Sequence, residues 1–218
     1  MAEGIDDILN LINQLNKHLE GYYVIGGSWV LYFYRFKYPH FKYPLRTLDI
    51  DFVFSLYVRN KRVGFDLRKI LESLKFYPEI TGTVTGYSYT TFKGENVDIE
   101  FIIEEPAGWK DKTLMINNLN IDATPLPFVG DLLEDIIYVE VKGIKIPLPS
   151  PERFHVHKWI IAQRRQNNLK KQNDLIQGLE LLKICNSGEL TRIIKGLRGK
   201  RKKLYEKSRA EINDLEVY

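Results

Sequence analysis

Along the first twenty residues, Ile5, Ile8, Leu9, Ile12, Leu15 and Leu19 recur at helical spacing. This predicts an amphipathic helix with one apolar face, ended by Gly21. The next segment, Tyr22 to Ile25, is short, aromatic and β-branched, and it runs into Gly26-Gly27-Ser28 and then WVLYFYRF. That order reads as strand, glycine turn, helix. Beyond Pro39 and Pro44, LDIDFVFSL alternates acidic and apolar residues at period two, the mark of a strand. Leu67, Ile70, Leu71 and Leu74 then predict a short helix closed by Pro78. TVTGYSYTTF and NVDIEFII read as two strands joined through Lys93-Gly94-Glu95. One strand near LMINNLNI and a short helix near 128–135 follow, and IYVEV and IKIPL around Lys142-Gly143 form another hairpin.

The pattern changes at IPLPSPERF. Prolines break the sheet, Ser150 suits an N-cap, Pro151 suits the first helical position, and Glu152 suits the positive helix end. Helices are predicted at about 151–166, 172–185 and 188–211. A boundary therefore falls near Pro149.

At 218 residues and 44% hydrophobic, the chain can bury one sizeable core and a smaller appended bundle. No segment approaches the roughly 18 apolar residues of a membrane span, and Asp6 and Asp7 stand where a signal peptide would be basic, so the expected location is cytoplasmic. The single cysteine, Cys185, excludes an internal disulfide and a thiolate metal cluster. A formal charge of +4 is mild, but nine cations against one acid, Glu206, lie between Arg192 and Arg209. That segment is a candidate RNA contact, with a solvated helix face as the plain alternative.

In the strand Leu48 to Phe52, Asp49 and Asp51 project from one face while Leu48, Ile50 and Phe52 take the other. Two acids on one face repel unless a cation lies between them, and hard carboxylate oxygens suit Mg²⁺ (or Mn²⁺), whose shell is completed by water and substrate phosphates. The Gly26-Gly27-Ser28 turn opening a helix offers close backbone approach, unpaired N–H groups and a hydroxyl, a cradle for phosphate. A second strand, Val97 to Phe101, carries Asp98 and Glu100 at the same period and supplies a third carboxylate, enough for two metals. The plain alternative for Asp49 and Asp51 is a solvent-facing edge strand with its acids in water, and for Asp98 or Glu100 a cross-strand partner of a lysine. Lys158 falls on the inward face of its helix, which favours a phosphate or carboxylate contact, with snorkelling to the surface as the plain alternative. His155 and His157, two apart on a helix, point to different faces and make no metal pair. Most of the aromatic run Trp29, Tyr32, Phe33, Tyr34, Phe36 and Tyr38 is expected to pack its helix on the sheet.

VIGGSW (24–29), RTLDIDF (46–52) and VDIEF (97–101) together resemble the nucleotidyltransferase superfamily, which has the DNA polymerase beta-like fold. The tail, with IPLPSPERF, Lys158 and Lys170 to Asp174, is similar to the branch holding uncharacterised bacterial nucleotidyltransferases and abortive-infection toxins. That branch often has an acid where Lys171 stands. The resemblance implies an α/β protein, with a mixed-sheet nucleotidyltransferase core over residues 1–149 and a C-terminal helical domain over 150–218. It places metal carboxylates on Asp49 and Asp51 and the third on Asp98, with Glu100 on the same face as the alternative. Gly26, Gly27 and Ser28 would contact an NTP co-substrate, Lys158 would face its phosphates, and Asp174 would complete the substrate site. Arg46 and Thr47, just before the acidic strand, are placed to orient the nucleotide, with a plain surface residue as the alternative for Arg46.

The implied reaction moves a nucleoside monophosphate from an NTP to an acceptor, which is an RNA, a protein or a small molecule, with pyrophosphate leaving. Two rival readings are a non-catalytic nucleotide- or RNA-binding module of the same fold and a metal-dependent phosphohydrolase using the same acids. Three converging acids count against the first, and release of pyrophosphate only with an acceptor separates the second.

Overall fold

The computed structural model describes residues 4–44, 47–79, 81–83, 86–88 and 90–215. The chain forms two compact units, Met1–Pro149 and Ser150–Tyr218.

In the first unit, α1 (Ile5–Leu19) buries the apolar stripe read from the sequence, together with Leu11. It leads to β1 (Tyr23–Ile25), α2 (Trp29–Lys37) and β2 (Asp49–Phe54). A 3-10 helix (Leu56–Asn60), α3 (Leu67–Ser73) and β3 (Tyr77–Pro78) follow. Then come β4 (Thr81–Thr83), β5 (Gly86–Ser88), β6 (Thr91–Lys93) and β7 (Asp98–Glu104). β8 (Leu114–Ile116), β9 (Ile121–Leu126), a 3-10 helix (Val129–Leu133), β10 (Ile137–Val141) and β11 (Ile144–Leu148) complete the unit. The main sheet runs β1-β2-β7-β6-β3, with β9 paired to β7 and β8 to β9. It is mixed: β7 is parallel to β2 and β9 and antiparallel to β6. Its core face holds a cluster of rings, with Phe101 lying 5.7–5.9 Å from Phe52, Phe54 and Phe92. Tyr23 joins them and donates its hydroxyl to Asn16 Oδ1 at 2.7 Å. Of the α2 aromatics, Trp29, Tyr32, Phe33 and Tyr34 are buried, and Tyr34 donates to the Pro149 carbonyl at 2.7 Å. Most of that run is core, as expected, while Phe36 is exposed.

In the second unit, α4 (Pro151–Ala162) is buried on nearly every side, and α5 (Asn168–Leu181), α6 (Ser187–Gly196) and α7 (Gly199–Leu215) pack against it. Ser150 caps α4, its Oγ accepting from Arg153 N at 3.3 Å. Gly178 lies where a Cβ would collide with the Trp159 indole, so the closest α4–α5 approach depends on its missing side chain. Among the described residues no helix is long and apolar enough to cross a membrane.

Three element expectations differ from the structure. TVTGYSYTTF is not one strand: Gly86–Ser88 pairs back on Thr81–Thr83 as a small hairpin, and Thr91–Lys93 pairs with β7. LMINNLNI is a hairpin, because the Asn117–Asn120 stretch reverses the chain, with Asn120 left-handed at φ 57. The last predicted helix is two, since Leu197 adopts an extended backbone between α6 and α7. Local polarity patterns do not distinguish a turn from a strand or helix that merely continues.

Candidate active site

β1 ends where β2 begins its acidic run, because the two strands are antiparallel and Ile25 faces Phe52. Gly26 extends that ladder by one bond, its N–H donating to the Asp51 carbonyl at 2.8 Å. A Cβ on Gly26 would lie 2.8 Å from Val53 Cγ2. Gly27 then takes φ +60, and a Cβ there would collide with the Asp51 carboxylate. The turn thus brings bare backbone against one acid, and any side chain at Gly27 would both strain the backbone and displace that acid. Ser28 begins α2 without capping it through its side chain. Its hydroxyl stands at the helix end where backbone N–H groups lack helical partners.

The parallel pairing of β2 with β7 sets Asp49 beside Asp98 and Asp51 beside Glu100. Since alternate residues share a face, all four acids rise from the face opposite the phenylalanine cluster. Asp49 is exposed, while Asp51, Asp98 and Glu100 are half-buried. Their surroundings differ. Lys93, opposite Asp98 on β6, donates to its carboxylate at 2.7 Å and lies 3.6 Å from Glu79. That bond to Asp98 is the main reason the Lys93 ammonium is held above its ordinary pKa. Glu100 instead accepts from the Thr124 hydroxyl of β9 at 3.3 Å.

Among the described residues no three His, Cys, Asp or Glu side chains are placed to hold a metal by themselves. The residues nevertheless fit a hard cation that takes one or two carboxylates and fills its shell with water and phosphate oxygens. The donors are all oxygen, the register pairs them, and Gly27 leaves the Asp51 carboxylate uncovered by any side chain of its own.

Thr47 sits at the strand entrance, its Oγ1 accepting from Asp49 N at 3.2 Å. Arg46 lies outside the described residues. Lys158 and Asp174 belong to the second unit, where their side chains are each 6% exposed and form a 2.8 Å ion pair. Arg165 takes the other Asp174 oxygen at 2.7 Å. Burial pushes the Asp174 carboxyl up, but the two cations outweigh it and hold it below its ordinary value. The inward lysine of the sequence therefore has a carboxylate as its partner.

Beside this pair, His155 is fully buried, with Nδ1 2.7 Å from the Gly178 carbonyl and Nε2 3.1 Å from the Tyr205 hydroxyl. A carbonyl only accepts, so Nδ1 carries the proton and Nε2 accepts from Tyr205. Burial lowers the His155 pKa to about 4 despite the Gly178 bond, and raises that of Tyr205 to about 12. His155 is a neutral structural bridge with both ring nitrogens engaged.

Sequence reasoning missed Thr124 and Arg165. Neither carries a motif, and each matters only through a partner 24 or 9 residues away. The Lys93–Asp98 pair was legible in principle, because a hairpin at Lys93-Gly94-Glu95 sets those two residues opposite each other.

A family model described as nucleotidyltransferase matches residues 7–190. No curated protein matches the chain by sequence. An antigenic nucleotidyltransferase-like protein from Paracoccidioides brasiliensis aligns in structure at 15% identity and a TM-score of 0.50, covering 95% of this chain and 87% of that one. The solution structure of the antibiotic-resistance factor ANT(2'')-Ia aligns at 17% identity and a TM-score of 0.46, covering 97% and 92%. With the family model spanning most of its length, this chain belongs to the nucleotidyltransferase family and is a nucleotidyl-transferring enzyme.

Proposed function

We propose that the chain uses Mg²⁺ (or Mn²⁺) to transfer a nucleoside monophosphate from an NTP to an acceptor hydroxyl. The observation that carries this reading is the pairing of Asp49 with Asp98 and of Asp51 with Glu100 beside a glycine turn that fits against Asp51. Asp49 and Asp51 would hold the metal, which neutralises triphosphate charge and polarises the phosphoryl oxygens. Gly27 and Ser28 present backbone N–H groups and a hydroxyl to the outer phosphates, while Gly26, whose own N–H is bonded to the Asp51 carbonyl, allows close backbone approach. Thr47 braces the entry to the acidic strand, and Arg46 beside it orients the nucleotide. The acceptor oxygen bonds to the α-phosphorus as the bond to the bridging oxygen breaks. Pyrophosphate leaves, and the acceptor proton passes to the third carboxylate.

Asp98 is the third carboxylate by motif, and Glu100 is its rival. The Lys93 ion pair counts against Asp98, because that carboxylate must give up an ammonium before it can bind a metal. Within the helical unit Lys158 is held by Asp174, whose other oxygen takes Arg165.

The test is calorimetric titration of each NTP with Mg²⁺ into wild type and Asp49→Ala/Asp51→Ala, followed by a pyrophosphate-release screen over RNA, protein and small-molecule acceptors. Metal-dependent binding that the double variant loses supports the reading, and absence of NTP binding by folded wild type refutes it. Comparing Asp98→Asn with Glu100→Gln decides the third acid: the greater loss of turnover marks it. Pyrophosphate formed without any acceptor would favour the hydrolase reading instead.

A further inference from the structure

Away from the acids, the same two strands border a second concavity. The β1–β2 ladder continues past its far end, where Ser55 N donates to the Tyr22 carbonyl at 2.9 Å. Ser55 lies four residues beyond Asp51, about 13 Å along an extended strand. Here Gly21, Tyr22, Ser55, Tyr57, Asn60 and Lys61 line a cavity of about 370 Å³, and no carboxylate is among these lining residues.

The chemistry of its rim is specific. Tyr57 is 77% exposed, which leaves an aromatic face to solvent where most rings of this unit are buried. The Lys61 ammonium lies 4.2 Å from the centre of the Tyr22 ring. Arg59 and Arg62 are exposed on the same short stretch, so three cations stand within four residues directly after the exposed ring. The stretch is held in place: Asn118 Nδ2 donates to the carbonyls of Val58 and Lys61, each at 2.7 Å. Ser55 Oγ accepts from Tyr57 N at 3.3 Å.

We propose that this cavity binds single-stranded nucleic acid, with one base stacked on Tyr57 and the adjoining phosphates on Lys61, Arg59 and Arg62. An exposed ring beside clustered cations is what a sequence-tolerant strand binder needs, because every base has a stacking face and every nucleotide a charge. A free phosphate would use the cations and leave the ring idle. The lining residues are distinct from the four acids, and the proposal does not depend on the transfer reading.

The test measures fluorescence anisotropy of labelled oligouridylate and oligodeoxythymidylate of about twelve nucleotides, within the usual site size of such binders, with the full chain at several salt concentrations. Tyr57→Ala is expected to weaken binding about tenfold without changing the salt slope, since it removes stacking and no charge. Arg59→Ala/Arg62→Ala is expected to lower the slope by about 1.4, roughly 0.7 per lost phosphate contact on a single strand. Dependence on Tyr57 with either oligomer supports the proposal, and the tighter oligomer tells RNA from DNA. A control variant, Lys200→Ala/Lys203→Ala/Lys207→Ala, removes charge from the basic C-terminal helix. If it abolishes binding while Tyr57→Ala has no effect, the proposal fails. It also fails if wild type binds neither oligomer. Retained Mg²⁺–NTP binding by Tyr57→Ala separates this outcome from loss of the transferase site. Should both be lost, Tyr57→Phe decides, since it keeps the ring and must bind as wild type does; weakened binding overturns the proposal.

Discussion

His155 gives the helical unit a pH dependence that can be sized from the structure. Its imidazole is buried against Trp159 at a 4.4 Å ring separation, with both nitrogens committed to Gly178 and Tyr205. Burial lowers its pKa from 6.5 to about 4. In the unfolded chain the ring takes a proton as pH falls through 6.5, while in the fold it stays neutral until about 4. The unfolded state therefore binds more protons over that window, and stability declines as pH drops. At 1.36 kcal/mol per unit, the decline reaches about 3 kcal/mol by pH 4. Urea unfolding of wild type and His155→Gln, followed by tryptophan fluorescence at steps from pH 7.5 to 4, measures it. Wild type should lose about 3 kcal/mol more than the variant across that range, although the variant starts less stable. Equal slopes, or an imidazole titrating near 6.5 by NMR, would refute the argument.

Four further outcomes follow from the structure. Lys158→Met leaves Asp174 buried with only Arg165 as partner and should cost about 3 kcal/mol at pH 7, while Lys158→Met/Asp174→Leu should cost clearly less than the sum of the two single changes; additive losses in a urea double-mutant cycle would show the pair is uncoupled. Because the folded pKa of Asp174 lies below its ordinary value, its contribution is intact above about pH 4 and fades as pH falls through the folded value. Gly178→Ala improves helix propensity but drives a methyl into the Trp159 indole, so a net loss of about 1–3 kcal/mol is expected and a raised melting temperature would contradict it. Gly27→Ala should weaken Mg²⁺–NTP binding at least about tenfold while costing about 1–2 kcal/mol of stability, since the left-handed backbone and the Asp51 contact are both local; unchanged calorimetric affinity would remove Gly27 from the site.

The elements with strong periodicity were legible from the sequence. The stripe of α1, the strand–Gly-Gly-Ser–helix unit, the acid-apolar alternation of β2 and β7, and the Ser150-Pro151 start of α4 all lie where local pattern puts them. Such signals are local: side-chain period fixes the face, and a cap or glycine fixes the end. The hairpins at 81–88 and 114–126 were not legible, because whether a polar strand continues or turns back depends on which neighbour offers hydrogen bonds.

The sequence by itself determined which residues share a face, so it could name Asp49, Asp51, Asp98 and Glu100 as candidates, and the family motif put Asp98 ahead of Glu100. Only the tertiary structure supplied the surroundings in which the two differ. The sheet order puts Lys93 across from Asp98, and the parallel pairing of β7 with β9 brings Thr124 to Glu100. In the same way the sequence favoured a partner for the inward Lys158, but only the packing of α5 on α4 supplied both Asp174 and the gap at Gly178 that lets the helices close. Periodicity acts along the chain, whereas the environment of a charge is set by residues that meet across it, and that is decided when the strands and helices pack.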